Sequence, residues 1–187
     1  MHKLIAIVGM SGSGKSIATD YLESIGWKKL YFGGITYKLM KEQGIERTPD
    51  GKSEKEFREG LRKKYGMACY AKFLEEDIRE AIKDNDVVLD GLYSWDEYKY
   101  LIERFENLKL VCIVADKGLR YERVGKRVDR AFNRDDIIYR DLSEIENLAK
   151  GGPIAYADYF ILNNTTVDGY IKRLNEILIN ISRLEEK

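Results

Sequence analysis

Leu4-Ile5-Ala6-Ile7-Val8 runs without a break into Gly9-Met10-Ser11-Gly12-Ser13-Gly14-Lys15-Ser16. The apolar half, rich in β-branched residues, predicts a strand buried on both faces. The eight residues after it match G-x-x-x-x-G-K-S, the pattern of a phosphate-binding loop, or P-loop. Glycines let the backbone wrap a polyphosphate with its N–H groups, and the helix that follows points its positive dipole end at the same anion. The expected cradle for ATP is therefore Gly9, Ser11, Gly12, Ser13, Gly14, Lys15, Ser16 and Ile17. Lys15 would reach the β- and γ-phosphates, and the Ser16 hydroxyl would join the shell of Mg²⁺. A glycine-rich turn that binds nothing is the plain alternative, and the placement between a strand and a helix argues against it.

Composition bounds what the rest can be. A chain of 187 residues suits one domain with a substantial core. Lysine plus arginine and aspartate plus glutamate number 32 each, so no global positive field is available to recruit a long nucleic acid. Cys69 and Cys112 stand apart in apolar settings without C-x-x-C spacing, which argues against a disulfide or a zinc site. His2 is the only histidine, and its place at the terminus leaves no room for a Ser-His-Asp triad. With no signal-peptide layout and no apolar run of membrane length, the expectation is a cytoplasmic protein that does not engage a membrane.

Downstream, Ile17 to Ile25 carries a helical apolar stripe that Gly26 closes. Lys29 to Phe32 reads as a second strand ending at Gly33-Gly34, with helix resuming from Ile35 to Gln43. The Thr48-Pro49-Asp50-Gly51 turn hands over to a charged helical segment from Ser53 to Lys83, broken near Gly66. Strands follow at Asp86 to Gly91, Leu108 to Ala115 and Tyr159 to Asn163. Helices are expected at Trp95 to Phe105, Lys117 to Arg127, Asp141 to Lys150 and Val167 to Leu184, with a polar stretch from Asp129 to Asp136. Strand and helix alternate, which calls for a parallel sheet with helices on both faces. The long helical excursion before the third strand reads as a flap on that sheet.

Ligands bind outside the carboxyl ends of such strands. Asp90 ends the third strand and fits a carboxylate that holds Mg²⁺ directly or through water, although acids also end strands as turn residues. Arg120, Arg123, Arg127, Arg130, Arg134 and Arg140 form the next signal. Phosphoryl transfer is catalysed by positioning and by cations around the transferring group, and the planar guanidinium grips phosphate oxygens bidentately. Arg123, Arg127, Arg134 and Arg140 are read in that role. Arg120 and Arg130 are read as members of a solvated helix face with ion pairs to residues such as Glu122 and Asp129.

The phosphate loop, the Leu89-Asp90-Gly91 strand end and Arg134-Asp135-Asp136 followed by Arg140 resemble the nucleoside monophosphate kinases, particularly adenylate kinases. The likeness is closer still to an archaeal-type adenylate-kinase-related family, through Leu61-Arg62-Lys63-Lys64-Tyr65-Gly66, Val88-Leu89-Asp90-Gly91 and Ala157 to Asn163. Gly152-Pro153-Ile154-Ala155 and Ala157-Asp158 through Asn163 also resemble dephospho-CoA kinase, whose corresponding strand precedes an adenine-contacting turn and so marks Asn163. This resemblance implies a three-layer α/β P-loop NTPase fold around a five-stranded parallel sheet. Residues 35 to 83 would be the helical acceptor-binding flap and 127 to 140 a short lid, within one domain spanning residues 1 to 187. It also implies transfer of the ATP γ-phosphoryl, with Mg²⁺, to a small nucleotide-like acceptor by a monomer or homodimer.

Departures from the pattern fall in the acceptor half. Tyr93 stands where adenylate kinases place an arginine, and Thr36 with Lys38 replaces their serine or threonine and arginine. A lysine is a point charge without the bidentate fork. Arg62 is a candidate acceptor-phosphate contact from the flap, and a solvated helical arginine is the alternative. Tyr65 and Tyr70 read as core, while Phe32 and Tyr93 suit either core or stacking on an acceptor base. A nucleotide-dependent regulatory ATPase without a small acceptor is the competing class.

Overall fold

The computed structural model describes residues 2–48, 51–127 and 133–185. Its order is β1 (Leu4–Val8), α1 (Lys15–Ser24), β2 (Lys28–Tyr31), α2 (Phe32–Glu42), α3 (Lys52–Tyr65), α4 (Cys69–Asp84), β3 (Val87–Asp90) and α5 (Trp95–Ile102). There follow β4 (Leu108–Val114), α6 (Lys117–Gly125), α7 (Arg134–Leu148), α8 (Gly151–Ala155), β5 (Tyr159–Leu162) and α9 (Val167–Glu185). The sheet has 5 strands in the order β2-β3-β1-β4-β5. Every pairing is parallel. β1 is thus central, and Ile7 pairs with Asp90 on β3, which brings the phosphate loop and the acid to the same edge.

The pleat of β1 divides the core. Leu4, Ala6 and Val8 face a cluster with Phe32, Tyr70, Leu74, Ile78 and Leu101, supplied by α2, α4 and α5. Ile5 and Ile7 face the opposite cluster with Ala18, Leu22, Tyr170, Leu174 and Ile181, supplied by α1 and α9. No side chain of β1 is more than 1% exposed. Each of its aliphatic side chains contributes about 1.5–3 kcal/mol by burial. This is the three-layer α/β arrangement the alternation of elements predicts.

Two boundaries differ from the sequence expectation. Phe32 opens α2 instead of ending β2, and at 1% exposure it is core, so it does not stack on a ligand. Gly33 and Gly34 lie inside that helix. More consequentially, α7 begins at Arg134, seven residues before the expected Asp141, so Arg134-Asp135-Asp136 is a first helical turn. Asn133 caps it, its side chain accepting from the Asp136 amide at 2.9 Å. The inward face of α7 carries Ile137, Asp141 and Glu144, while Tyr139, Leu142 and Ile145 point to solvent. With carboxylates inside and apolar groups outside, hydrophobic periodicity could not reveal where this helix starts. Arg130, Asp129, Pro49 and Asp50 lie outside the described residues. The expected break near Gly66 is present between α3 and α4, where Gly66 closes α3 at φ 89°.

Candidate active site

The phosphate loop is held from behind through its carbonyls. Arg120 Nη1 donates to the Ser11 carbonyl at 2.8 Å, Asn163 Nδ2 to that of Ser13 at 2.8 Å, and the Tyr170 hydroxyl to that of Gly14 at 3.1 Å. Lys15 Nζ donates to the Met10 carbonyl at 3.0 Å. With these oxygens so occupied, and the Ser13 amide donating to the Met10 carbonyl at 3.2 Å, the remaining loop amides are what the loop can offer an anion. Glycine is required where these braces come closest. A Cβ on Gly12, at φ +80°, would meet the Arg120 carbonyl oxygen at 2.5 Å, and one on Gly14, at φ +103°, would meet Asn163 Nδ2 at 2.3 Å.

The hydroxyls of Ser11 and Ser13 are buried without a hydrogen-bond partner, the kind of orphan a bound phosphate satisfies. Ser16 and Ile17 are exposed at the start of α1. Asp90 is reached by Thr19, one turn into that helix, whose hydroxyl donates to Oδ2 at 3.3 Å. Lys29 Nζ stands 4.0 Å from the same oxygen, and it also meets Asp20 at 2.6 Å and Glu23 at 3.7 Å. Burial raises the Asp90 carboxyl above the usual range, with Lys29 and Lys15 working against it. Burial and the positive charges of Lys150 and Arg140 lower the Lys15 ammonium to about 7, against the pull of Glu144 and Asp90. Lys15 is therefore within electrostatic range of both Asp90 and Arg140.

The arginines separate into different environments. Arg120 is 7% exposed and forks onto Asp141 of α7, at 2.7 and 3.3 Å. It is a buried tie between α6, α7 and the loop, which corrects the reading of it as part of a solvated face. Arg140 donates to Glu144 at 3.0 Å. Glu144 is also gripped by Lys150, at 2.5 Å, and although burial pushes its carboxyl up, the two cations hold it at about 2. Arg123 is half-buried with Nη1 unpartnered, in electrostatic range of Tyr170. Arg127 and Arg134 are exposed, at either side of residues 128–132.

On the flap side, Thr36 is fully buried and shares a 2.9 Å hydrogen bond with the Tyr70 hydroxyl. The Arg62 guanidinium lies 5.2 Å from the centre of the Tyr70 ring, with Nε buried and unpartnered. Thr36, Tyr70 and Arg62 are thus brought together. Lys38 is not, because residues two apart on α2 face about 200° apart, and its side chain is exposed. Tyr70 is core, as expected, at 2% exposure; Tyr65 is not, at 44%. Tyr93 is half-buried, its ring 4.6 Å from Lys150 Nζ. Asn163, just after β5, is 3% exposed and braces the loop.

Sequence reading passed over Lys29, Asp141, Glu144, Lys150 and Tyr170. Of these only Lys150, the last residue before Gly151-Gly152-Pro153, carried a local signal, as a cation at a helix end.

The comparisons with known proteins fit this geometry. A family profile described as an AAA domain matches residues 5–145. The UPF0200 protein of Sulfurisphaera tokodaii is 30% identical over 184 residues, covering 96% of this chain and 97% of that one. Among solved structures, shikimate kinase from Bacteroides thetaiotaomicron superposes with a TM-score of 0.60 at 13% identity, covering 94% of this chain and 98% of that one. Dephospho-CoA kinase from Campylobacter jejuni does so at 0.58 and 17% identity, covering 96% and 97%. These two likenesses are of fold, that of the P-loop kinases. Among the described residues no helix is long and apolar enough to cross a membrane. By the span of the profile and the length of the aligned relative, the chain belongs to the AAA-domain family and to the UPF0200 proteins.

Proposed function

We propose that this chain is a Mg·ATP-dependent phosphotransferase that moves the γ-phosphoryl to a small nucleotide-like acceptor, of the nucleoside monophosphate or dephospho-CoA type. The observation that carries the reading is a phosphate loop braced from behind by Arg120, Asn163 and Tyr170, with the buried, unpartnered hydroxyls of Ser11 and Ser13 in it and Asp90 bonded to Thr19 of the helix it opens. Lys15 neutralises the β- and γ-phosphates. Ser16 and Asp90 would hold Mg²⁺ directly or through water, and the metal would supply positive charge to the phosphates. Arg123 of α6, Arg127 just beyond it, and Arg134 and Arg140 of α7 supply positive charge to the transition state.

The acceptor lies against α2 to α4, with Arg62 over Tyr70 and Thr36 behind it, and Tyr93 at the end of β3. Lys38 reaches it only from the rim. Lys55 of α3 stands 5.5 Å from the ring centre of Tyr139 on α7, so the flap and the lid helix already touch. Closure of the two excludes water and limits hydrolysis of ATP. A phosphate acceptor is ionised and requires no general base; a hydroxyl acceptor would turn to Asp90.

The test is turnover of Mg·ATP with a panel of nucleoside monophosphates, dephospho-CoA and a 5′-hydroxyl oligonucleotide, followed as ADP formation. Acceptor-stimulated turnover that vanishes in Lys15→Ala is the expected result. Hydrolysis at one rate across the whole panel would replace this reading with that of a regulatory ATPase.

A further inference from the structure

We propose that β5 is a docking edge for a second copy of this chain, the two β5 strands pairing antiparallel about a twofold axis with the two α9 helices side by side on one face of the joined sheet. The pairing holds whether or not the chain transfers phosphate, because Phe160, Leu162 and the outer face of α9 take no part in the nucleotide site.

The sheet has two edges, and the sequence treats them differently. β2 opens with Lys28-Lys29, the kind of charge that keeps an edge from adding a further strand. β5, at the other end, reads Tyr159-Phe160-Ile161-Leu162, without a charge or a proline. Tyr159 and Ile161 pack against the cluster that α1 and α9 supply. Phe160 and Leu162, on the opposite face of the strand, are 54% and 46% exposed. The Asn163 amide donates to the Val114 carbonyl of β4 at 2.7 Å, and in such a ladder alternate residues turn to the same neighbour. The N–H and C=O groups of Phe160 and Leu162 therefore point away from β4, where no described residue bonds them. An uncovered apolar edge of this kind is a template for another strand.

The groove beside the edge selects the occupant. Phe160 borders it on the strand, and a stripe of Gly169, Lys172, Arg173, Glu176, Ile177 and Asn180 borders it on α9. Lys172, Arg173 and Glu176 are exposed there and take no ion-pair partner among the described residues. A groove carrying both signs of charge fits a surface that carries them in reverse order, and an antiparallel copy of the same stripe is such a surface. A twofold axis midway along the stripe, between Leu174 and Asn175, sets Arg173 of each copy against Glu176 of the other. The same axis lays the stem of Lys172 over Ile177 and brings Asn180 to Gly169, which has no side chain to obstruct it. Phe160 borders the same groove, so the axis passes beside it on the strand. There Phe160 exchanges both backbone bonds with Leu162 of the second copy, and Leu162 with Phe160, which centres the strand pair on Ile161. Paired residues share a face, so the two exposed side chains cover each other across the junction. Strand and helix thus call for one symmetry at one height.

Sedimentation velocity of the full chain over a range of concentrations is the test. The wild type is expected to dimerise; a chain monomeric up to about 100 μM overturns the proposal and leaves the edge to a different protein. Phe160→Lys charges the edge, and Arg173→Glu and Glu176→Arg each set like charges against one another across the axis. Each should weaken the dimer by about tenfold or more. An equimolar mixture of the Arg173→Glu and Glu176→Arg chains restores both attractions and should pair about as tightly as the wild type. Ion pairing within one helix cannot produce that recovery, since each chain in the mixture carries a single sign at the two positions. A dimer indifferent to these changes, or a mixture that stays apart, refutes the contact. Should Phe160→Lys fail to fold, the two α9 variants still decide, because both positions are exposed. Hydrogen exchange separates strand pairing from mere helix docking. The Phe160 and Leu162 amides should be protected in the wild-type dimer and exchange about tenfold faster or more in Arg173→Glu. Free exchange of both amides in the dimer overturns the strand junction.

Discussion

Replacing Arg120 by methionine tests the buried tie that holds the phosphate loop to α6 and α7. The guanidinium and the Asp141 carboxylate are 7% and 6% exposed, joined by bonds of 2.7 and 3.3 Å, and a third bond of 2.8 Å reaches the Ser11 carbonyl. Arg120→Met keeps much of the volume and strands a carboxylate in the interior. Removing one partner of a buried pair costs about 3–5 kcal/mol, and the freed carbonyl is part of that figure because the losses are not additive. For a chain of this size about 2–4 °C accompanies each kcal/mol, so the melting temperature should fall by about 6–20 °C. Adding Asp141→Leu removes the stranded charge and should recover most of the loss, leaving the loop carbonyl as the residual defect. The measurement is thermal and urea unfolding of the two single variants and the double, with Mg·ADP titration as the readout of the loop. A drop below about 2 °C in Arg120→Met would mean a solvated pair and refute the assignment. So would a double variant no better than the worse single.

Two further outcomes follow from the same region. Gly12→Ala places a methyl 2.5 Å from the Arg120 carbonyl in a left-handed conformation, so stability should fall by about 2 kcal/mol or more and Mg·ADP binding should disappear from calorimetry. Glu144 is held at about 2, below its ordinary 4.5, so the stability it contributes is complete above pH 5 and is lost as the pH falls through 4.5 toward 2. Glu144→Gln should therefore lower stability by about 3 kcal/mol at pH 7, with the difference from wild type closing in that acid window when urea unfolding is followed against pH.

Much of the fold was legible because it rests on local rules. The β1 run, the glycine at the break between α3 and α4, and the Asp90 strand end are set by period, turn chemistry and motif, and each stands where those rules put it. The donor half of the site follows from the same motif. What was hidden is the start of α7 at Arg134, ahead of the helix expected from Asp141, and the burial of the carboxylates it carries. Its buried face is Ile137, Asp141 and Glu144, and the two carboxylates are tolerable inside only because Arg120 arrives from α6 and Arg140 and Lys150 from α7 itself and the turn after it. No window of sequence contains both partners of the Arg120 tie, 21 residues apart, and the eye reads each as a surface charge. Lys38 stands apart from Thr36 for a simpler reason: both lie on the helix expected from Ile35, and residues two apart on a helix face away from each other.

The bracing of the phosphate loop bears on kinetics. Ser11, Ser13 and Gly14 each offer a carbonyl to a partner from a different part of the chain, α6, the end of β5 and α9. A loop so anchored has its binding shape before the nucleotide arrives, so nearly every molecule is competent and affinity is not divided by a small competent fraction. Nucleotide capture should then be a single second-order step whose rate rises linearly with concentration. Any slower, saturating phase belongs to the meeting of α3 and α7, where Lys55 stands 5.5 Å from the ring centre of Tyr139.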